Sequence, residues 1–337
     1  MTMARRNNVF CIALTLGIAL LLDGAWVSGV EARTGSGRAT SHSSGTGIQL
    51  AQVDGPSLPG RPRARRRRHQ AQLRLPAVTP YGIPRLHVKA AYVVDATNNR
   101  VLFEKNPDRA LPIASLTKLV TMMVFLQTAP EWDRVIEIVP DDVRHSSRTR
   151  IRPREEITVR DLIHASLMSS DNAATKALVR TCGIPMDEFV RRMNLLVDSL
   201  GITETRFVEP TGLSEENVST ALGVARILRA ATENDIVGAI TQKTEYAFTT
   251  NRRMHHLVNT NRLLRSQWQI TGGKTGFIHE AGYCLVANVK GPTGIDITAV
   301  VLGAPSNALR FAEARRILDW TFRFGLPPLP QTTPEGD

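Results

Sequence analysis

Cysteine is scarce in this 337-residue chain: there are three, and Cys11 falls in an N-terminal apolar stretch, leaving Cys182 and Cys284. For that pair a disulfide and two buried thiols are both open, because separation along the chain says nothing of distance in space. Metal-binding patterns are missing as well. No glutamate-flanked histidine pair occurs, and adjacent His255 and His256 are poorly arranged for joint ligation. Nor is there a glycine loop of the phosphate-cradling type, so neither a metal nor any other cofactor is expected. Internal repeats are absent. No amphipathic helix follows Pro327, which argues against a C-terminal membrane anchor. The apolar stretch from Val9 to Leu22 is too short and too unevenly flanked to read as a spanning helix.

That stretch has another use. Arg5 and Arg6 precede it and small residues follow, the pattern of an export signal cleaved near Gly29 or Ala32. Residues 1–32 are therefore read as the signal, with an uncleaved anchor as the alternative. The mature chain is expected in the periplasm or cell-envelope space. Lys and Arg number 42 against 31 Asp and Glu, a net charge of +11 that suits a polyanionic partner. Much of the excess sits in Arg61, Arg63 and Arg65 to Arg68, inside a Gly-, Ser-, Pro-, Gln- and Arg-rich segment, 33–84. Lacking apolar periodicity, this segment reads as a disordered leader with solvated charge, or as a weak tether to anionic lipid or glycan. An exported chain does not meet chromosomal DNA, so nucleic acid is not expected as a partner; an envelope polymer is.

The remainder, at 42% hydrophobic composition overall, can bury a full-sized core, and a single domain over 85–327 with a flexible tail, 328–337, is expected. Val88 to Asp95 and Arg100 to Glu104 read as strands joined by the Thr97-Asn98-Asn99 turn. Leu116, Leu119, Val120, Met123 and Val124 recur at helical spacing, so Ser115 is expected to open a helix running to Leu126. Helical patterns continue over Val159 to Met168, Ala173 to Arg180, Met186 to Leu200 and Ala221 to Ala231. Strand character returns from Trp268 to Lys274, Gly282 to Val289 and Ile295 to Leu302, and a last helix is expected from about Ala308 to Phe324. Strands at both ends with helices between predict an α/β (α+β) domain: an antiparallel sheet built from both chain ends, flanked by helices, with an inserted helical lobe.

Three short motifs carry chemistry. In Ser115-Leu116-Thr117-Lys118 the spacing puts an amine and a hydroxyl on one helix face. A serine nucleophile needs such a base, and a lysine serves if its pKa is lowered. Alone the motif is weak, since roughly one such tetrapeptide arises by chance in a chain this long. Ser170-Asp171-Asn172 lies between two helical patterns, where a helix cap is the plain alternative. Lys274-Thr275-Gly276 is rarer, expected in about one chain in ten. It falls on a strand, where the lysine and hydroxyl suit a carboxylate and the glycine permits close backbone approach.

Together and in this order, the three resemble the motif set of penicillin-binding proteins and class A β-lactamases. The resemblance spans roughly Val88 to Phe324 and implies the β-lactamase/transpeptidase-like fold. More narrowly the chain is similar to low-molecular-mass serine D-alanyl-D-alanine peptidases, and among them the soluble endopeptidases. Pro112 to Ser115, Leu167 to Asn172, Thr205 to Leu213, Asn259 to Asn261, Lys274 to Phe277 and Ala281 to Val286 carry this likeness. It implies peptidoglycan stem peptides as substrate and covalent inhibition by β-lactams. It further implies that Ser115 is the nucleophile, Lys118 its base, and Ser170 a proton relay to the leaving amine. Asn172 would hold the substrate amide, and Lys274 and Thr275 a carboxylate. The backbone N–H groups of Ser115 and Phe277, beside Gly276, would receive the oxyanion. Arg310 falls where carboxypeptidase relatives place a carboxylate-binding arginine, although Arg310, Arg315 and Arg316 equally fit an exposed helix face. Gly212 reads as a turn glycine.

Three other readings compete with the endopeptidase. A carboxypeptidase would cut the same kind of bond at a free terminal D-alanine. A catalytically silent peptidoglycan-binding scaffold would have no need of an activated nucleophile. A class A β-lactamase requires a deacylating glutamate in an E-x-x-L-N loop, and Glu209-Pro210-Thr211-Gly212-Leu213 lacks that arrangement.

Overall fold

From its N-terminal end the chain forms β1 (Ala90–Asp95), β2 (Val101–Lys105), the short β3 (Leu111–Pro112), a 3-10 turn (Ala114–Thr117) and helix α1 (Lys118–Leu126). Then come β4 (Val135–Glu137), α2 (Pro140–Val143), β5 (Glu156–Thr158), α3 (Val159–Met168), α4 (Asn172–Thr181) and α5 (Met186–Ser199). After β6 (Val218–Ser219) follow α6 (Ala221–Glu233), α7 (Asp235–Gln242), β7 (Glu245–Thr249) and β8 (Met254–Val258). Strands β9 (Gln269–Ile278), β10 (Gly282–Lys290) and β11 (Asp296–Ala304) precede α8 (Asn307–Trp320) and a π turn (Thr321–Gly325). This computed structural model describes residues 82, 84–147, 149–291 and 295–325. The expected signal, nearly all of the expected leader with its arginine run, and the expected tail lie outside them.

One antiparallel sheet, ordered β2-β1-β11-β10-β9, joins strands from both ends of the domain. Side chains alternate across it, as strand geometry requires. Ala90, Tyr92, Val94, Val286, Val300 and Leu302 enter the core shared with the helical lobe. Their neighbours Ala91, Val93, Leu285, Ala287, Ile297 and Val301 enter a second core, which Phe311, Ala314, Ile317 and Leu318 of α8 close. The sheet is therefore covered on both faces, and β9 is left as an edge.

Helix α1 runs through the lobe's core. Leu119, Val120, Met122, Val124 and Phe125 are all buried, each worth roughly 1.5–3 kcal/mol of burial. That burial explains why the only charged residue of α1, Lys118, is carried inside with them.

One expectation needs correction. Ser115 does not open the α-helix: it lies in the 3-10 turn, where Ala114 has φ +50°, and Lys118 is the first residue of α1. Between the last of the helical patterns, ending at Ala231, and the strand pattern at Trp268, where no element is expected, the structure adds a helix and a hairpin. The hairpin β7–β8 escapes notice because its turn is Asn251-Arg252 rather than a glycine dipeptide, and because most of its residues are exposed. Helix α7 follows α6 directly, capped by Asn234.

Candidate active site

Ser115 and Lys118 are brought together by the tight turn at the start of α1. Lys118 Nζ lies 3.2 Å from Ser115 Oγ, 2.6 Å from Asn172 Oδ1 and 2.5 Å from the Thr211 carbonyl oxygen. Two of those three neighbours are carbonyl-type oxygens, which only accept. A neutral amine has two N–H donors and one lone pair, so once two donors go to Asn172 and Thr211 the lone pair faces the serine hydroxyl. Lys118 is fully buried, and burial pulls its pKa down to about 8 against the opposing fields of Glu209 and Asp171. The geometry and the pKa both favour a base directed at Ser115.

Ser170 and Asn172 come from the link between α3 and α4, and Asp171 holds them there. Its carboxylate caps α4 by accepting from the N–H groups of Ala173 (2.9 Å) and Ala174 (3.1 Å), and it also receives the Thr149 hydroxyl (2.8 Å). The helix-cap alternative thus describes Asp171, while its two neighbours meet Lys274 and Lys118. Ser170 sits at φ +62°, a left-handed conformation uncommon outside glycine. Asn172 donates from Nδ2 to the Ser146 carbonyl at 3.1 Å, so both ends of its amide are engaged within the protein.

Strand β9 supplies the third group. Lys274, also buried, donates to Ser170 Oγ at 2.7 Å and to the Thr275 carbonyl at 3.0 Å. Burial, then repulsion from Lys118 and Arg310, holds its amine well below the usual lysine range. An anion arriving beside it would favour its charged form. Thr275 donates its hydroxyl to Thr260 at 2.6 Å. A Cβ at Gly276 would stand 2.8 Å from the Ile113 carbonyl oxygen and 3.1 Å from Ser115 N. The glycine is therefore needed for the approach of strand and nucleophile turn to each other. Phe277 is half exposed and stacks on Tyr283, with ring centroids 4.2 Å apart.

Arg310 is not on an exposed face. It is buried behind β9, donating to the carbonyls of Gly276 (3.0 Å) and Cys284 (3.1 Å), and its guanidinium lies over the Tyr283 ring. Arg315 is exposed and Arg316 pairs with Glu313. Cys182 and Cys284 are both free. Among the described residues no cluster of His, Cys, Asp or Glu is suited to a metal ion, and no helix is long and apolar enough to cross a membrane.

A cavity of about 330 Å³ is lined by Thr149, Ile151, Ser169, Asp171, His255 and Thr260, the last of which accepts the Thr275 hydroxyl. Larger cavities, of about 360, 410 and 430 Å³, share none of these lining residues. Thr211, Thr260 and Glu209 lie in stretches that carry the resemblance, but the sequence assigns no chemical role to Thr211, Thr260 or Asn217, and offers Glu209 only as a candidate deacylating glutamate. Thr211 and Thr260 act through short-range contacts that no spacing encodes.

The sequence profile of the D-alanyl-D-alanine carboxypeptidase family matches residues 77–306. The D-alanyl-D-alanine endopeptidase of Escherichia coli is 33% identical over 269 residues, covering 77% of this chain and 86% of that protein. The D-alanyl-D-alanine endopeptidase of Pseudomonas aeruginosa is 36% identical over 239 residues, 68% of this chain and 76% of its own. The crystal structure of a Streptomyces DD-transpeptidase matches with a TM-score of 0.67 at 25% identity, covering 71% of this chain and 98% of that one.

Proposed function

The chain belongs to the D-alanyl-D-alanine carboxypeptidase family and is a serine-type D-Ala-D-Ala peptidase; within that family we propose that it is an endopeptidase that cuts D-alanyl cross-links in peptidoglycan. The observation that carries the catalytic part is the continuous set of contacts from Ser115 through Lys118 to Asn172, with Ser170 and Lys274 in hydrogen-bond contact alongside.

In the proposed reaction Ser115 Oγ attacks the carbonyl of a D-alanyl residue while Lys118 accepts the hydroxyl proton. The backbone N–H groups of Ser115 and Phe277 receive the developing oxyanion. The C–N bond then breaks, and the leaving amine takes a proton through Ser170, which Lys274 holds in place. Water releases the acyl group and regenerates Ser115. Asn172 orients Lys118 and meets the substrate amide, and Lys274 and Thr275 meet a carboxylate. Arg310 acts from behind, fixing the Gly276 carbonyl on the strand edge.

One observation favours cross-link cutting over terminal trimming: both relatives above are named endopeptidases. The β-lactamase reading is disfavoured because Glu209 is fully engaged by backbone and side-chain donors and so is not free to activate a deacylating water. We further place the mature chain in the cell envelope, without nucleic acid as a partner, on the N-terminal signal pattern.

Digestion of purified cross-linked muropeptide dimers beside uncross-linked pentapeptides tests the assignment. Monomers released from the dimers faster than D-alanine from the pentapeptides are expected. Release of D-alanine with intact dimers would make the enzyme a carboxypeptidase.

A further inference from the structure

Glu209 is a half-buried carboxylate that faces no cation at salt-bridge distance among the described residues. Its partners are neutral donors. Oε1 accepts from the N–H groups of Gly212 (2.6 Å), Leu213 (2.8 Å) and Ser214 (3.3 Å) and from Asn217 Nδ2 (3.0 Å). Oε2 accepts from Thr211 N (2.7 Å) and Thr211 Oγ1 (2.6 Å). Pro210 has no N–H to add to this fan, and its carbonyl instead receives the Thr121 hydroxyl at 2.6 Å.

The loop so gathered touches the reactive groups twice. The Thr211 carbonyl receives Lys118 Nζ, and Gly212, at φ +81°, lies so close under the nucleophile turn that a Cβ there would stand 2.1 Å from the Ala114 carbonyl oxygen. Asn217 ties the same loop to the turn, donating to Thr117 Oγ1 at 3.3 Å and accepting at its own carbonyl from Ile113 N at 3.0 Å.

We propose that Glu209 is a positioning residue for the reaction: its carboxylate holds the Thr211 carbonyl against Lys118 and the Gly212 backbone against Ser115, and leaves an uncancelled negative charge near the buried amine. The inference rests on the reading of Lys118 as the base. The groups facing Lys118 are Ser115 from the 3-10 turn, Asp171 and Asn172 from the head of α4, Lys274 from β9, and the loop of Glu209. Of the two carboxylates, Asp171 has α4 and Thr149 as partners, and Glu209 has its loop. Because a nearby negative charge favours the ammonium form, removing the Glu209 charge lets Lys118 release its proton at lower pH.

The test is the rate of acylation by a labelled penicillin against pH, for the wild type, Glu209→Gln and Glu209→Asp, each checked by thermal unfolding. Glu209→Gln is expected to move the acid limb down by about one pH unit and to lower the plateau at least tenfold. Glu209→Asp keeps the charge, so its limb stays in place while its plateau falls. If the glutamine variant does not fold, the aspartate variant decides alone: a limb moved by half a unit or more overturns the inference. A folded glutamine variant whose limb stays within 0.2 unit of wild type also overturns it, as a merely structural role would give. A wild type that forms no adduct would instead overturn the reading of Lys118 and Ser115.

Discussion

Lys274 Nζ stands 2.7 Å from Ser170 Oγ, across 104 residues of sequence. The contact couples the strand-edge lysine to the hydroxyl assigned to the leaving group, so the two are expected to work as a unit. Ser170→Ala should slow acylation by about 10²-fold or more, and Ser170→Ala with Lys274→Ala should be little worse than the poorer single variant. Stopped-flow acylation of the three variants checks this; multiplicative losses would mean independent roles.

The pH dependence follows from Lys118. The base must be neutral to accept a proton, and burial holds its pKa at about 8. Acylation should therefore rise roughly tenfold per pH unit on the acid side and level off near that value. A rate-pH profile on folded enzyme, flat between pH 6 and 9, would rule out this assignment.

Gly212 and Gly183 make a controlled pair. Both have strongly positive φ, +81° and +78°, but only at Gly212 does a Cβ meet backbone, while nothing lies within 4 Å at Gly183. Gly183→Ala should cost about 1 kcal/mol from backbone strain alone. Gly212→Ala should cost at least about 2–3 kcal/mol more through overlap with Ala114, and should also slow acylation. Urea denaturation of both variants measures the difference.

Arg310 and Arg315 make another. Removing the buried Arg310 guanidinium strands the carbonyls of Gly276 and Cys284, so Arg310→Ala should lose about 2–3 kcal/mol of stability, while exposed Arg315→Ala should stay within about 0.5 kcal/mol. Equal effects in denaturation would show that Arg310 is not a strut behind β9.

Much of the scaffold was legible because its signals are periodic. Val159–Met168 coincides with its helical pattern, and β9 to β11 begin within a residue or so of where strand character is read. The reactive residues were legible for another reason: Ser115, Ser170 and Lys274 lie in short motifs whose types and order are informative together. The Glu209 fan, the Thr211 carbonyl and the burial of Arg310 were not legible. Their significance is set by backbone groups that approach only in the folded chain, and a sequence records the side chain without its partner. Gly212 illustrates the limit, since its turn-like φ was foreseeable and its contact beneath Ser115 was not.

Mass spectrometry of the intact protein after exposure to benzylpenicillin tests most directly whether Ser115, assisted by Lys118, forms an acyl-enzyme. A single adduct is predicted on the wild type, mapping to the peptide that contains Ser115, long-lived enough to isolate and missing from a folded Ser115→Ala variant. An adduct that persists in that variant, or none on folded wild type, would contradict it.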